Sequence, residues 1–267
     1  MDNRSIGVFD SGVGGLTVLG EIIKVVPNEN IIYFGDTARV PYGPRDLGQV
    51  KKFVFKIIEF LCDRDIKLIV IACNTSTAAA LEDLKEKLDL PVIGVIEPGA
   101  RTAAYSSKNK KVGVIATQGT IESKAYDKEI AKISSSIELH SVAAPILVDY
   151  VEKGILKGRD LENAVKGYLD PLIKKNIDVL ILGCTHFPLI EKIIKSCCGN
   201  GIKVISSAVE TAADVKKILV SKKIFSDDNK KPLRMFYETG SSSNFLEVGK
   251  MFLGEEIKDV VRVDLGI

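Results

Sequence analysis

Apolar and polar positions along the chain follow two periods. Short runs of mostly β-branched residues alternate with longer stretches in which apolar residues recur every three or four positions. The first pattern predicts buried strands and the second predicts amphipathic helices. The strand pattern occurs at 6–9, 31–34, 68–72, 92–96, 112–116, 137–143, 179–182, 203–205, 233–237 and 260–263. The helix pattern occurs at 16–26, 47–62, 77–88, 122–133, 161–174 and 211–220.

This alternation predicts the fold class. Strands that alternate with helices form parallel sheets covered by helices on both faces. Ten strands are many for one small sheet, so we expect an α/β protein of two similar doubly wound lobes. Each lobe would be a mostly parallel sheet flanked by helices, with the active site in the cleft between them. Pro98-Gly99 and Ser206-Ser207 are the candidate crossovers.

Composition and charge exclude several classes of protein. Of the 267 residues, 46% are hydrophobic and 27% are charged, which is ordinary for a globular protein. Lys plus Arg number 37 and Asp plus Glu 35, so bulk charge does not favour a nucleic-acid partner. We recognise no signal peptide and no apolar run long enough to span a bilayer. We therefore expect a cytoplasmic protein without a membrane partner, whose five cysteines are reduced.

A cysteine ends the third predicted strand, in the stretch "VIACNTST" at 70–77. Ligands of open α/β sheets bind beyond the carboxyl ends of the strands, where Cys73 is expected. Asn74 to Thr77 suit the first turn of a helix, with a Thr or Ser as its cap. Such a turn would seat a carboxylate and lower the pKa of a nearby thiol. The alternative is a buried structural cysteine.

A second stretch, "LILGCTHF" at 180–187, repeats this design. Cys184 again follows an apolar strand, and Thr185 is the candidate cap. The chain has two histidines, and His140 lies inside a strand pattern, where we expect it to pack. His186 is the better candidate for handling protons or activating a thiol. A capping or packing role is its alternative.

The first strand runs into the glycine-rich stretch "FDSGVGGLTVL" at 9–19. Its glycines let the backbone approach a ligand closely. Thr17 stands where a dinucleotide fingerprint needs glycine, so a small anionic or zwitterionic ligand is favoured over a nucleotide. Ser11 and loop amides would bind a carboxylate, and Asp10 an ammonium or a proton. A tight turn capped by Asp10 is the alternative.

The second strand runs into "FGDTARVPYGPR" at 34–45. Two prolines stiffen this loop around Tyr42 and Gly43. A stiff loop of this kind can close a small site. The alternative is a plain surface connection.

Two thiols over one cleft suit a reaction without a cofactor. One thiolate would remove a proton from a carbon, and the other thiol would donate a proton to the opposite face, which inverts a stereocentre. The sequence contains no C-x-x-C, H-E-x-x-H, G-x-S-x-G or Gly-Lys-Ser/Thr motif. No lysine stands in a context that marks it as a Schiff-base partner of pyridoxal phosphate. We therefore expect neither a metal nor an organic cofactor.

The chain closely resembles the glutamate racemases of the aspartate/glutamate racemase superfamily. The resemblance is carried, in order, by "FDSGVGGLTV", "GDTARVPYGPR", "IACNTSTAAAL", "GVIEPGARTA", "GVIATQGTIES" and "LGCTHFPL". It implies the interconversion of L- and D-glutamate without a cofactor, supplying D-glutamate for bacterial peptidoglycan. It also implies a homodimer and a C-terminal segment that returns to the first lobe. The lobes would then be 1–97 with 206–267, and 98–205.

The resemblance also implies roles for individual residues. Cys73 and Cys184 would be the acid/base thiols, Asp10 and His186 their polar partners, and Glu152 the support of the histidine. The implied substrate contacts are Asp10, Ser11, Tyr42, Gly43, Asn74, Thr75, Thr120, Thr185 and His186. Thr117 and Gly119 would line the second lobe near Thr120. One departure is Ala143-Ala144, where the family often has Ala-Cys before the proline; that cysteine is not one of the pair.

Three other functions compete with this interpretation. A racemase of another acidic amino acid, such as aspartate, would use the same two thiols. A non-catalytic protein that binds small carboxylates would have no need of two thiols. A thiol redox protein would carry closely spaced cysteines, and the C-x-x-C motif is absent.

Overall fold

The computed structural model describes residues 1–226, 231–240 and 243–266, and at 243 and 244 it describes the backbone alone. The chain divides into two units. One comprises Met1–Val95 and Ala208–Ile267, and the other comprises Ile96–Ser207.

Strands and helices alternate along the whole chain. The N-terminal part of the first unit contains β1 (Ser5–Asp10), α1 (Leu16–Val25), β2 (Ile31–Gly35), α2 (Leu47–Cys62), β3 (Ile66–Ile71), α3 (Asn74–Lys87) and β4 (Val92–Gly94). The second unit contains α4 (Ile96–Ser106), β5 (Lys111–Ala116), α5 (Gln118–Glu122), α6 (Ala125–Ile133), β6 (Glu138–Ala143), α7 (Pro145–Glu152), α8 (Arg159–Ile173), β7 (Val179–Gly183), a 3-10 helix (Phe187–Ile190), α9 (Glu191–Cys198) and β8 (Lys203–Ser206). The chain then continues with α10 (Ser207–Lys222), β9 (Arg234–Glu238), α11 (Ser243–Leu253), a 3-10 helix (Gly254–Glu256) and β10 (Val261–Arg262).

The sheet of the first unit has six parallel strands in the order β10-β9-β2-β1-β3-β4. Successive residues of its strands pack on opposite faces, as the two-residue period requires. Ile6 and Val8 belong to a core cluster with α1, α10 and α11. Phe9 and Ile71 belong to a second cluster with α2 and α3. The sheet is therefore covered by helices on both faces.

The sheet of the second unit has four parallel strands in the order β6-β5-β7-β8. Ile115 of β5 and Leu180 of β7 pack with apolar residues of α7, α8 and α9. On this evidence of two parallel sheets flanked by helices, the predicted α/β fold class is confirmed.

Both sheets change winding direction between two central strands. In the first unit β2 lies on one side of β1 and β3 on the other; in the second, β6 lies on one side of β5 and β7 on the other. The connections leaving the carboxyl ends at such a point diverge and open a crevice, where ligands of this fold class bind. Residues that come after β1 and β3, and residues that come after β5 and β7, therefore have the positions of a binding site.

All ten predicted strands are present, with ends within two residues of the predicted ones. The helices differ more. The helix predicted at 122–133 is interrupted, because Lys124 has a left-handed backbone with φ of 56° between α5 and α6. The Pro98-Gly99 crossover lies inside the first turn of α4, where a proline costs little because its N–H would have no helical partner.

Candidate active site

Cys73 lies in the crevice of the first unit, two residues after the end of β3. It is the N-cap of α3, and its Sγ accepts a hydrogen bond from the Ser76 backbone N–H at 3.4 Å. The prediction that a Thr or Ser caps this helix is therefore wrong. The helix begins at Asn74, earlier than predicted, because the thiol itself provides the acceptor. The Thr77 hydroxyl is instead turned back to the Cys73 carbonyl, at 2.9 Å.

Asp10 ends β1, the strand next to β3, and its side chain is fully buried. Its Oδ1 accepts the Gly12 N–H at 3.0 Å, so it orders the glycine-rich turn and does not cap α1, whose N-cap is Gly15. Gly15 must be a glycine, since an added Cβ would lie 2.4 Å from Asp10 Cβ. Ser11, the next predicted contact, is also buried.

Tyr33 also lies on this side of the crevice. It was not among the predicted residues. Its hydroxyl donates to the Gly12 carbonyl at 2.8 Å. Burial raises the pKa of Tyr33, and the nearby charges of Asp10 and Cys73 raise it further. Tyr33 therefore stays neutral beside both predicted catalytic groups.

Tyr42 is buried and donates a short hydrogen bond to Oδ2 of Asp36. Burial raises the pKa of Tyr42, with further contributions from Asp36 and Cys73. Tyr42 and Cys73 belong to one core cluster, so this loop packs near the thiol. Asp36 is fully buried and also accepts from Arg39 Nη1 at 2.6 Å. Asp36 was not among the predicted residues, although its position directly after β2 is a signal that could have identified it. Gly43 is buried beside Tyr42.

Cys184 directly follows β7 in the crevice of the second unit, and it begins a chain of three side chains. Its Sγ lies 3.5 Å from Nδ1 of His186, and Nε2 of His186 makes a short contact with Oε1 of Glu152. Glu152 ends α7, so the predicted pairing of Glu152 with the histidine is present in the structure. Burial alone would lower the pKa of His186, but Cys184 and Glu152 together outweigh it, and the pKa is raised well above its ordinary value.

The backbone after Cys184 differs from that after Cys73. A 3-10 helix begins at Phe187, and His186 occupies its N-cap position without a capping side-chain bond. The prediction of a helical turn capped by Thr185 is therefore wrong. Thr185 itself, between the thiol and the histidine in sequence, is buried.

Two threonines come after β5, the neighbour of β7. Thr117 is the N-cap of α5 and accepts the Thr120 N–H at 3.4 Å, and the two hydroxyls lie 2.9 Å apart. Ala116 at the end of β5 pairs with Gly183 at the end of β7. These threonines and Cys184 therefore follow neighbouring strands at the same edge of the sheet. His140 lies in the middle of the edge strand β6, with Nε2 3.1 Å from Oε1 of Glu138.

The predicted site residues form two groups, one in each unit. The first unit brings together groups near the ends of β1, β2 and β3, and the second unit those of β5, β7 and α7. The predicted residues of the first unit are Asp10, Ser11, Tyr42, Gly43, Cys73, Asn74 and Thr75. Those of the second unit are Thr120, Glu152, Cys184, Thr185 and His186.

Within the described residues, no group of three or more His, Cys, Asp or Glu side chains could hold a metal ion. Among the helices described, none combines the length and apolar character needed to cross a membrane.

The family model described as Asp/Glu/Hydantoin racemase matches residues 6–215. The chain belongs to the Asp/Glu/hydantoin racemase family. A glutamate racemase of Corynebacterium diphtheriae is 46% identical over 260 residues, covering 97% of this chain and 98% of its own. A glutamate racemase of Listeria monocytogenes is 45% identical over 263 residues, covering 98% of this chain and 99% of its own.

Solved structures of the same racemase family agree with this assignment. A glutamate racemase isoform from Bacillus anthracis has a TM-score of 0.95 and 46% identity, with full coverage of both chains. A glutamate racemase from Francisella tularensis, solved in complex with D-glutamate, has a TM-score of 0.93 and 38% identity, covering 100% of this chain and 99% of that one. The predicted family is confirmed, and so is the prediction that the chain is an isomerase of the racemase type.

Proposed function

We propose that this racemase interconverts L- and D-glutamate by a two-base mechanism that uses Cys73 and Cys184. The observation that carries the proposal is the position of the two thiols. Each is buried at the carboxyl end of a central strand, beside the point where its sheet changes winding direction. The full-length similarity to glutamate racemases supports glutamate as the substrate.

In the proposed reaction, the thiolate of one cysteine takes the α-proton of glutamate. The thiol of the other cysteine gives its proton to the opposite face of the planar carbanion. One C–H bond breaks and one forms, and the two cysteines exchange protonation states, so no redox partner is needed. This reaction requires both thiols to reach the α-carbon of one bound substrate, from opposite faces.

The surroundings of each thiol support this role. The Ser76 N–H at Cys73 Sγ is a donor suited to a negatively charged sulfur, at the positive end of the α3 dipole. Asp10 would assist Cys73, and His186, held by Glu152, would assist Cys184 in moving protons. The carbanion bears charge on the substrate carboxylate, which fixed backbone and hydroxyl donors would stabilise.

Buried groups at the ends of the strands supply the proposed substrate contacts. In the first unit these are Ser11, Tyr42, Gly43, Asn74 and Thr75, together with Asp10 for the ammonium group. In the second unit they are Thr120, Thr185 and His186. The backbone N–H groups at the start of α3 would bind the α-carboxylate.

We further propose that the enzyme acts in the cytoplasm as a homodimer and supplies D-glutamate for peptidoglycan. The family resemblance supports this role. Rescue of a bacterium that requires D-glutamate would test the supply, and light scattering of the purified protein would test the dimer.

The experiment that tests the activity follows the α-proton of pure L- and pure D-glutamate in D₂O by NMR, without added cofactor. We expect exchange of the α-proton together with loss of optical purity, from both starting enantiomers. Aspartate in a parallel sample tests the competing substrate. Exchange of aspartate alone would contradict glutamate as the substrate, and exchange of neither would leave a binding protein.

A further inference from the structure

A short segment at the end of β9 contacts the loop that carries Tyr42. We propose that Thr239 in this segment is a positioning residue, which holds Tyr42 in place through Asp36. The inference deepens the proposed function, since it rests on Tyr42 as a substrate contact. It concerns residues more than 200 positions apart in the sequence, at adjacent ends of β2 and β9.

The Thr239 hydroxyl is used twice. It donates to Oδ1 of Asp36 at 2.6 Å and accepts the backbone N–H of Ala38 at 3.0 Å. Thr239 is 8% exposed and Asp36 is fully buried, so water competes little for these bonds. One hydroxyl thus fixes both the carboxylate and the backbone of the loop.

The neighbours of Thr239 hold the same loop. Thr37 donates to Oε2 of Glu238 at 2.8 Å and accepts the Gly240 N–H at 2.9 Å. A Cβ at position 240 would lie 2.5 Å from the Thr37 hydroxyl, so the close approach requires glycine. We call Glu238, Thr239 and Gly240 the clasp.

The clasp determines which oxygen of Asp36 is left for Tyr42. Thr239 and Arg39 both bind Oδ1, and Tyr42 binds Oδ2. Without the Thr239 hydroxyl, the Ala38 N–H loses its acceptor and the carboxylate loses a donor. Arg39 alone then holds Oδ1, so the carboxylate is less constrained and the Tyr42 ring loses its fixed orientation. Because a contact made equally to substrate and transition state changes KM more than kcat, the effect belongs mainly to KM.

The test compares Thr239→Val, which removes the hydroxyl at nearly constant volume, with Thr239→Ser, which keeps it. We expect about a 10-fold rise in KM for glutamate in Thr239→Val, a smaller change in kcat, and a KM near wild type in Thr239→Ser. Thr37→Val is the second disruption of the clasp, for use if Thr239→Val does not fold. Ser226→Ala is the matched control, since it also removes a buried hydroxyl that is bonded to a carboxylate. That carboxylate belongs to Glu29, which lies before β2 and not in the loop after it.

Hydrogen exchange of the amides at 36–42 provides a readout that does not depend on activity. We expect faster exchange in Thr239→Val than in the wild-type protein and in Thr239→Ser. Unchanged exchange in this loop, or an unchanged KM in an active enzyme, overturns the proposal. If the wild-type protein does not racemise glutamate while Thr239→Val still speeds exchange, the proposed function fails and the positioning of the loop is supported.

Discussion

Cys73 and Cys184 lie just beyond the carboxyl ends of central strands of their sheets but have different surroundings. The sulfur of Cys73 accepts a backbone N–H at the start of an α-helix, whereas the sulfur of Cys184 lies beside a histidine ring. A backbone donor is fixed and cannot titrate, while a histidine can gain or lose a proton. The backbone donor can therefore stabilise a thiolate at Cys73 but cannot exchange a proton with it, whereas His186 can do both for Cys184.

Replacing either thiol tests the reaction at the residue scale. We expect Cys73→Ser and Cys184→Ser each to lower kcat for racemisation by at least about 100-fold, because a serine hydroxyl is a far weaker base than a thiolate. Circular dichroism of glutamate solutions follows the rate. Cys62→Ser, a half-buried cysteine of α2, is the control and should retain activity. Near-normal turnover in either active-site variant would contradict the two-base mechanism.

The sequence predicted the candidate site residues that stand close to a motif. The spacing of Cys184 and His186 placed both residues correctly at one strand end. Tyr33 and Thr239 were missed, because their roles depend on contacts with Gly12 and Asp36, which are remote in the sequence. The partner of a polar residue within or after a strand can be identified only when the strand order is known.

The raised pKa of His186 predicts how stability depends on pH. A group that binds its proton more tightly in the folded state stabilises the fold at low pH. This contribution is lost as pH rises from about 6.5 through the raised pKa, by at most about 1.4 kcal/mol per pH unit. Glu152→Gln removes one cause of the raised pKa, so we expect a smaller loss of unfolding free energy over this range.

Urea unfolding at a series of pH values measures this difference. Glu191→Gln is the control, since it also removes one carboxylate, paired with Lys195 on α9, but leaves His186 unchanged. The idea fails if the wild-type protein and Glu152→Gln have the same pH dependence.

At the scale of the elements, hydrophobic periodicity predicted the strands better than the helices. Strands of a parallel sheet are buried on both faces, so they stand out as continuous apolar runs. Short helices give a weaker signal: α7 has eight residues and was not predicted. The break at Lys124 was not predicted either, because a lysine with a left-handed backbone gives no sequence signal comparable to that of a glycine.

Glycines in two different elements should respond oppositely to alanine. At Gly183, which ends β7, an added Cβ would lie 2.9 Å from Ala116 Cβ and 3.0 Å from the Ile115 carbonyl oxygen. The strand cannot accept it without moving, so we expect Gly183→Ala to cost about 1–3 kcal/mol and to reduce racemisation by displacing Cys184. At Gly167, inside α8, an added Cβ meets nothing within 4 Å.

Gly167→Ala is therefore the matched control, and we expect it to add about 0.5–1 kcal/mol of stability through the lower entropy of the unfolded chain. Urea unfolding and racemisation assays on both variants check these expectations. A Gly183→Ala protein as stable and active as the wild type would show that β7 can shift freely.

At the scale of the whole molecule, the two units repeat one winding pattern, with the central strands in the orders 2-1-3-4 and 6-5-7-8. Sequence alternation predicted two doubly wound lobes but not the strand order. In particular, nothing local showed that β9, late in the chain, pairs with β2. This pairing places the clasp beside the Tyr42 loop, and only long-range contacts reveal it.

A buried ion pair connects four segments of the first unit. Lys67 Nζ lies 2.5 Å from Oε2 of Glu29, and their side chains are 0% and 2% exposed. Lys67 also donates to the Asp2 carbonyl at 2.5 Å, and Ser226 donates its N–H to Oε1 of Glu29 at 2.9 Å. The N-terminus, the starts of β2 and β3, and the segment after α10 thus meet at one pair of charges.

Removing one charge of this pair should destabilise the fold far more than removing an exposed one. We expect Lys67→Met to cost about 3–5 kcal/mol, because Glu29 would be left buried and uncompensated. The double variant Lys67→Met with Glu29→Gln removes that charge and should recover much of the loss. Lys56→Met, from an exposed pair with Glu59, should change stability by less than about 1 kcal/mol. Urea unfolding measures the stability of all three variants. A double variant that is no more stable than Lys67→Met would show that the lost hydrogen bonds of Lys67, and not the unpaired charge, determine the cost.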